Sequence, residues 1–210
     1  MSTPKIVAAA EAHLASMDPR LAVFIDTWGP CKLRKSRSVA TTAFTSLAEA
    51  ITHQQLAGVA ARTIHGRLIA QLGTLTPQTV LAADEASLRA CGLSGAKTTS
   101  IRHLAQCFLD GTVDPTKLAR MNNDEVVKRL TVIRGVGAWS AHMFLMFDMG
   151  RIDVWPIGDF GVRAGYAKGW ELGEMPTPGE LEYAGEKYRP YRSVVAWYCW
   201  RVWDSVNAKA

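Results

Sequence analysis

Two features in the stretch LTVIRGVGAWSAHMFLMFDMGRIDVWPIGDFGVR (130–163) could carry chemistry. The first is Asp159, which follows Pro156 and Gly158 and precedes a helical run. A carboxylate there can stabilise a developing positive charge or orient a water molecule. It is equally suited to cap the helix that follows. The two roles are compatible, because a helix N-terminus favours negative charge. Asp153 is the rival carboxylate, standing before Val154-Trp155-Pro156. The second feature is Gly135-Val136-Gly137, between two helix-like runs. Glycines one residue apart permit positive φ and close backbone approach. The N–H groups of Gly137, Ala138 and their neighbours could then point at an anion such as phosphate. An ordinary tight turn between packed helices explains the same residues.

Three further groups have side chains that could meet a ligand. In AITHQQLAGVAA (50–61), His53, Gln54 and Gln55 stand at the head of an Ala-rich helix. Lys97 follows the Gly92–Gly95 loop at a helix start, where it could meet phosphate or simply be an exposed lysine. The C-terminal segment holds Tyr191, Trp197, Tyr198, Trp200 and Trp203. Aromatics at helical spacing build a core as readily as they stack on a ligand. The four cysteines, at 31, 91, 107 and 199, include no CxxC pair. Buried thiols are expected, with no zinc site or disulfide framework.

These residues need elements to hold them. Pro and Gly punctuate the chain, and the segments between them carry apolar residues three and four apart, as at Ile64, Leu68 and Leu72. Strand-like alternation is scarce, so an all-α fold of roughly ten helices follows. With 210 residues, 48% of them hydrophobic, the chain can bury a real core. A net charge of +5 and a pI near 9.1 suit a polyanionic partner. No apolar run of membrane-spanning length occurs. The start MSTPKIVAAAEAHLA reads as a first helix and not as a signal peptide. A cytoplasmic protein, nucleoid-associated in a bacterium, is expected. The charged run KLRKSR (32–37) reads as a loop.

Taken together, IRGVGAWSA (133–141), DVWPIGDFGVR (153–163), RPYRSVVAWYCW (189–200) and the upstream AITHQQLAGVAA resemble the helix-hairpin-helix (HhH-GPD) DNA glycosylase superfamily, and within it 3-methyladenine DNA glycosylase II. The chain is too short to include the N-terminal β-domain of the larger members. The resemblance implies two helical lobes flanking an active-site cleft, residues 1–40 with 151–210 and residues 41–150. It makes Asp159 the catalytic carboxylate and Asp153 a structural loop residue. It places Trp139 and Trp200 against a flipped base, with Trp155 and Met143 in the same pocket. Met143 replaces a tyrosine of the longer relatives. Gln55, with Gln54 and His53 beside it, would fill the gap left in the DNA stack. Gly135, Gly137, Ala138 and Lys97 would meet the DNA backbone.

Trp139 occupies the position of the lysine that forms a Schiff base in the bifunctional members, so a monofunctional hydrolase is expected. An alkylated purine such as 3-methyladenine carries positive charge, and aromatic faces attract it by roughly 0.5–2 kcal/mol each. Such a base leaves readily, and no obvious general acid stands out. No cofactor is expected, and no iron–sulfur cluster with only Cys199 in the relevant region, unless a monovalent cation binds the hairpin's backbone carbonyls. The expected partner is double-stranded DNA with alkylated bases, bound by a monomer. A glycosylase for neutral bases such as hypoxanthine or uracil, and a DNA-binding module without catalysis, are the alternatives.

Overall fold

The computed structural model describes the backbone of residues 3–33 and 39–207, so residues 34–37 of the charged run lie outside the described residues. Among those described there are helices and no strand. They are α1 (Thr3–Met17), α2 (Pro19–Trp28), α3 (Val39–His53), α4 (Gly58–Leu72), α5 (Pro77–Ala82), α6 (Glu85–Ala90), α7 (Gly95–Leu109), α8 (Pro115–Leu118), α9 (Asn123–Leu130), α10 (Ala138–Met143), α11 (Phe160–Gly169), α12 (Pro178–Gly185) and α13 (Arg192–Asn207). A π-helical turn, Phe144–Asp148, continues α10, and a 3-10 turn, Glu186–Tyr188, precedes α13.

Local sequence sets many of these boundaries. Pro19, Pro77, Pro115 and Pro178 occupy first-turn positions, where a missing N–H costs nothing. Thr76, Asn122 and Thr177 form capping boxes with Thr79, Glu125 and Glu180. Asp84, Ser94 and Asp114 cap α6, α7 and α8.

The chain divides into two compact units: a continuous one, residues 37–144, and a split one, residues 1–36 with 145–210. In the continuous unit α7 is central. Its Ile101, Leu104 and Ala105 are fully buried, as are Leu47 and Ile51 of α3, Val80 of α5 and Leu88 of α6.

In the split unit α11 crosses α13 at backbone contact. A Cβ at Gly165 would overlap the Cys199 carbonyl, so only glycine permits this approach. Asp18 caps α2 and also accepts hydrogen bonds from Trp170 Nε1 at 2.9 Å and Tyr188 Oη at 2.7 Å. The loop before α11 is held at several points. Asp153 takes the Arg192 guanidinium in a fork, Nε to Oδ1 at 2.7 Å and Nη2 to Oδ2 at 3.0 Å. The Val154 N–H donates to Ser193 Oγ at 2.8 Å. Trp155 is a core residue, 6% exposed, whose indole N–H donates to the Leu181 carbonyl at 2.7 Å. Gly185 leaves room for that ring, since a Cβ there would overlap the indole.

Candidate active site

The split unit presents Asp159. It is buried, and it caps α11: its Oδ1 accepts the Val162 N–H at 2.8 Å. The same oxygen accepts Trp200 Nε1–H from α13 at 2.9 Å. Two donors from two helices thus fix one carboxylate oxygen, and with it the rotamer. Gly161 makes the arrangement fit, because a Cβ there would stand 2.9 Å from Trp200 Cδ1 and 3.3 Å from Asp159 Oδ1. Phe147 stacks on Trp200 with ring centroids 5.9 Å apart. Trp200 therefore has a polar role beside its aromatic face.

One expectation changes in this unit. Trp155, placed by resemblance in the base pocket, is instead an anchor between its loop and α12, with its N–H satisfied in the core. Asp153 is engaged by Arg192 and Arg189 as a structural loop residue. Trp197 and Tyr198 are buried, as the core alternative for these aromatics has it.

The continuous unit presents the glycine hairpin. Gly135 has φ +82°, and a Cβ there would lie 2.7 Å from Ser100 Oγ of α7. Glycine is required on both counts. The Arg134 N–H donates to His103 Nδ1 at 2.9 Å, which pins the hairpin to α7. Gly137 differs. Its φ is −92° and a Cβ would meet nothing among the described residues, so no contact there demands glycine. It opens α10 without a side-chain cap. Gly135, Gly137, Ala138 and Trp139 are all exposed. Exposed backbone at an uncapped helix start is the geometry that an oxyanion fills.

Facing residues in the same unit build a cavity of about 420 Å³ lined by His53, Gln54, Gln55, Trp139, Ser140 and Met143. The structure separates the three residues expected to fill a DNA gap. His53 ends α3 in the cavity wall. Gln54 turns its amide to the hairpin, with Nε2 donating to the Gly135 carbonyl at 2.7 Å. Gln55 stands exposed at the tip with φ +56°, a left-handed conformation rare for a side-chain-bearing residue. Leu56 beside it is 39% exposed, an apolar tip residue with no distinguishing signal in the sequence.

Lys97 is not placed as a phosphate contact. Its Nζ donates to the Thr52 carbonyl at 2.7 Å, closing the C-terminal turn of α3, and burial lowers its pKa. The cysteines are free and buried; burial pushes the Cys31 thiol up to about 12 and also raises Cys199. Among the described residues no group of three or more His, Cys, Asp or Glu could hold a metal, and no helix is long and apolar enough to cross a membrane.

A hairpin between α9 and α10 followed by an aspartate at the head of α11 is a defined combination, and the family model for HhH-GPD superfamily base excision DNA repair proteins matches residues 48–190. The chain belongs to that superfamily. Within the HhH-GPD proteins it is 32% identical over 200 residues to DNA-3-methyladenine glycosylase 1 of Schizosaccharomyces pombe, covering 91% of this chain and 86% of the relative. The solved structure of the Schizosaccharomyces pombe 3-methyladenine DNA glycosylase with abasic DNA superposes with a TM-score of 0.80 at 30% identity, over 92% of this chain and 95% of that one. A DNA-3-methyladenine glycosidase from Bacillus halodurans gives 0.84 at 32% identity, over 93% and 89%. Sequence reasoning found the HhH-GPD hairpin and aspartate but not Ser100, His103 or Gly161, which hold them in place.

Proposed function

We propose that this chain is a monofunctional DNA-3-methyladenine glycosylase that releases alkylated purines from duplex DNA by hydrolysis. The observation that carries the reading is Asp159, whose Oδ1 is fixed by Val162 N–H and Trp200 Nε1–H. Departure of a base leaves positive charge on the sugar, and an oriented carboxylate stabilises that charge or directs water to the anomeric carbon. A cationic leaving base supplies the driving force. Trp139, 51% exposed in the cavity wall, offers it an aromatic face. Trp139 has no amine to capture the opened sugar, so water completes the displacement and the strand stays intact.

The hairpin grips the DNA backbone through exposed main chain, without reading sequence. Gln55 and Leu56 enter the stack when the base leaves it. A monovalent cation on the hairpin carbonyls would share them with Gln54, which already donates to Gly135 O. The protein works as a monomer, and DNA as its partner is in line with the abasic-DNA complex of its Schizosaccharomyces pombe relative.

The test is base release from methylated duplex, with a gel assay before and after alkali and borohydride trapping alongside. Free methylated purine, alkali-dependent breaks and no trapped adduct are expected. A trapped covalent adduct overturns the monofunctional assignment, and absence of base release overturns the glycosylase reading.

A further inference from the structure

Two buried imidazole nitrogens lack a hydrogen-bond partner among the described residues, His53 Nε2 and His65 Nδ1. Unpaired buried polar atoms are rare, and each calls for a reason. His53 lies in the wall of the cavity that holds Trp139 and Met143. One helical turn back, Glu49 Oε1 stands 4.0 Å from its Nε2, an ion-pair distance too long for a hydrogen bond. His65 of α4 meets the His53 ring edge-on, with centroids 6.2 Å apart. Burial is the largest effect on His65 and lowers its pKa, so it adds no second charge at neutral pH. Lys97 of α7 is also close by, its Nζ spent on the Thr52 carbonyl. Within the cavity wall, His53 is the residue whose side chain is a general acid–base group.

We propose that His53 is the proton donor to the departing base when that base is neutral, with Glu49 as its ion-pair partner on the far side of the ring. The proposal rests on the glycosylase reading above. A cationic alkylated purine leaves as a neutral molecule and needs no acid. A neutral purine such as hypoxanthine would leave as an anion. In the assigned step the C1′–N9 bond breaks and its electron pair goes to the base. Nδ1, the ring's other nitrogen, transfers its proton to a base ring nitrogen, and His53 becomes neutral. Water adds to C1′ and loses a proton to solvent, which then recharges the imidazole. For a cationic base the same residue is best left neutral, since two positive charges in one cavity repel.

The experiment compares single-turnover release of 7-methylguanine and hypoxanthine from otherwise identical duplexes, with wild type, His53→Gln and Glu49→Gln. Thermal melting establishes that each variant is folded. General-acid help is worth about a hundredfold or more. His53→Gln should therefore lower hypoxanthine release by about that factor, and the hypoxanthine-to-7-methylguanine rate ratio by at least about tenfold. Wild-type hypoxanthine release should fall as pH rises and the donor loses its proton, and 7-methylguanine release should not follow it. Glu49→Gln should lower hypoxanthine release more than 7-methylguanine release. Equal losses on both bases, a flat wild-type hypoxanthine profile, or release of 7-methylguanine alone by wild type each overturn the assignment and leave the glycosylase reading standing. Release of neither base by wild type removes both.

Discussion

Asp159 receives two kinds of support on one oxygen, and the two can be separated. The Val162 N–H comes with the helix, whereas the Trp200 N–H comes from a side chain on α13. Asp159→Asn should cut base release by at least about a hundredfold while DNA binding persists, because the amide carries no charge to meet the sugar cation. Near-full activity in single-turnover assays would move the catalytic assignment elsewhere. Trp200→Phe keeps a ring for stacking and removes the donor. A hydrogen bond to a charged group contributes about 1.5–3 kcal/mol, so kcat should fall by about tenfold or more with KM little changed. A rise in KM alone would mean that Trp200 acts only as an aromatic wall. At this scale the sequence was readable where a residue acts through its own loop. Asp159 shows itself by Pro156, Gly158 and the helix behind it. The indole that steadies it is distant in the chain, and nothing marks Trp200 as a donor while Trp155 is a core anchor. Only packing against Gly161 and Gly185 sorts the tryptophans.

The helix-hairpin-helix element rests on two glycines with different tasks. Gly135→Ala brings a Cβ to 2.7 Å from Ser100 Oγ at φ +82°. A cost of about 1–3 kcal/mol should lower Tm by several degrees and weaken DNA binding as well. Gly137→Ala has ordinary φ and open space, so Tm should stay within about 2 °C of wild type. Any loss of DNA affinity in that variant then reports on the nucleic acid's approach to the backbone. Unchanged affinity in fluorescence anisotropy would remove the backbone-grip role from Gly137. The hairpin was legible because glycine spacing is a local signal. The role of Lys97 was not, because a lysine at a helix start looks the same whether it meets phosphate or the Thr52 carbonyl of another helix.

For the chain as a whole, charge sets two dependences. Burial alone pushes Asp18 and Asp153 up. The Trp170 and Tyr188 donors on Asp18, and Arg192 on Asp153, outweigh it and hold both below the ordinary carboxylate value. Their contribution to stability is thus fully present above about pH 4, the unfolded value, and is lost as pH falls through the lower native values. Melting curves from about pH 6 to about pH 2.5 should show wild type losing Tm with acid. Asp18→Asn should start lower and change less, and a parallel loss in the two proteins would clear Asp18 of this role. DNA binding, for its part, should weaken steeply with salt and depend little on sequence, as phosphate contacts by a chain of net charge +5 require. A salt-independent Kd would argue against backbone contacts. The all-helical class was legible from Pro and Gly punctuation and apolar spacing. The cavity was not, since it depends on how α3 and α10 face each other across the fold of the continuous unit.

The left-handed backbone of Gln55 bears on how such a protein searches. A lesion is one base among very many undamaged ones, and each must be visited briefly. A tip that had to order itself at every stop would lose time and binding strength to that ordering at each base pair. Gln55 already holds φ +56°, with Lys97 closing the helix behind it and Gln54 bound to the hairpin that would ride the backbone. The strain is carried once, when the chain folds, and a probe held in this way would arrive at every base step in its working shape.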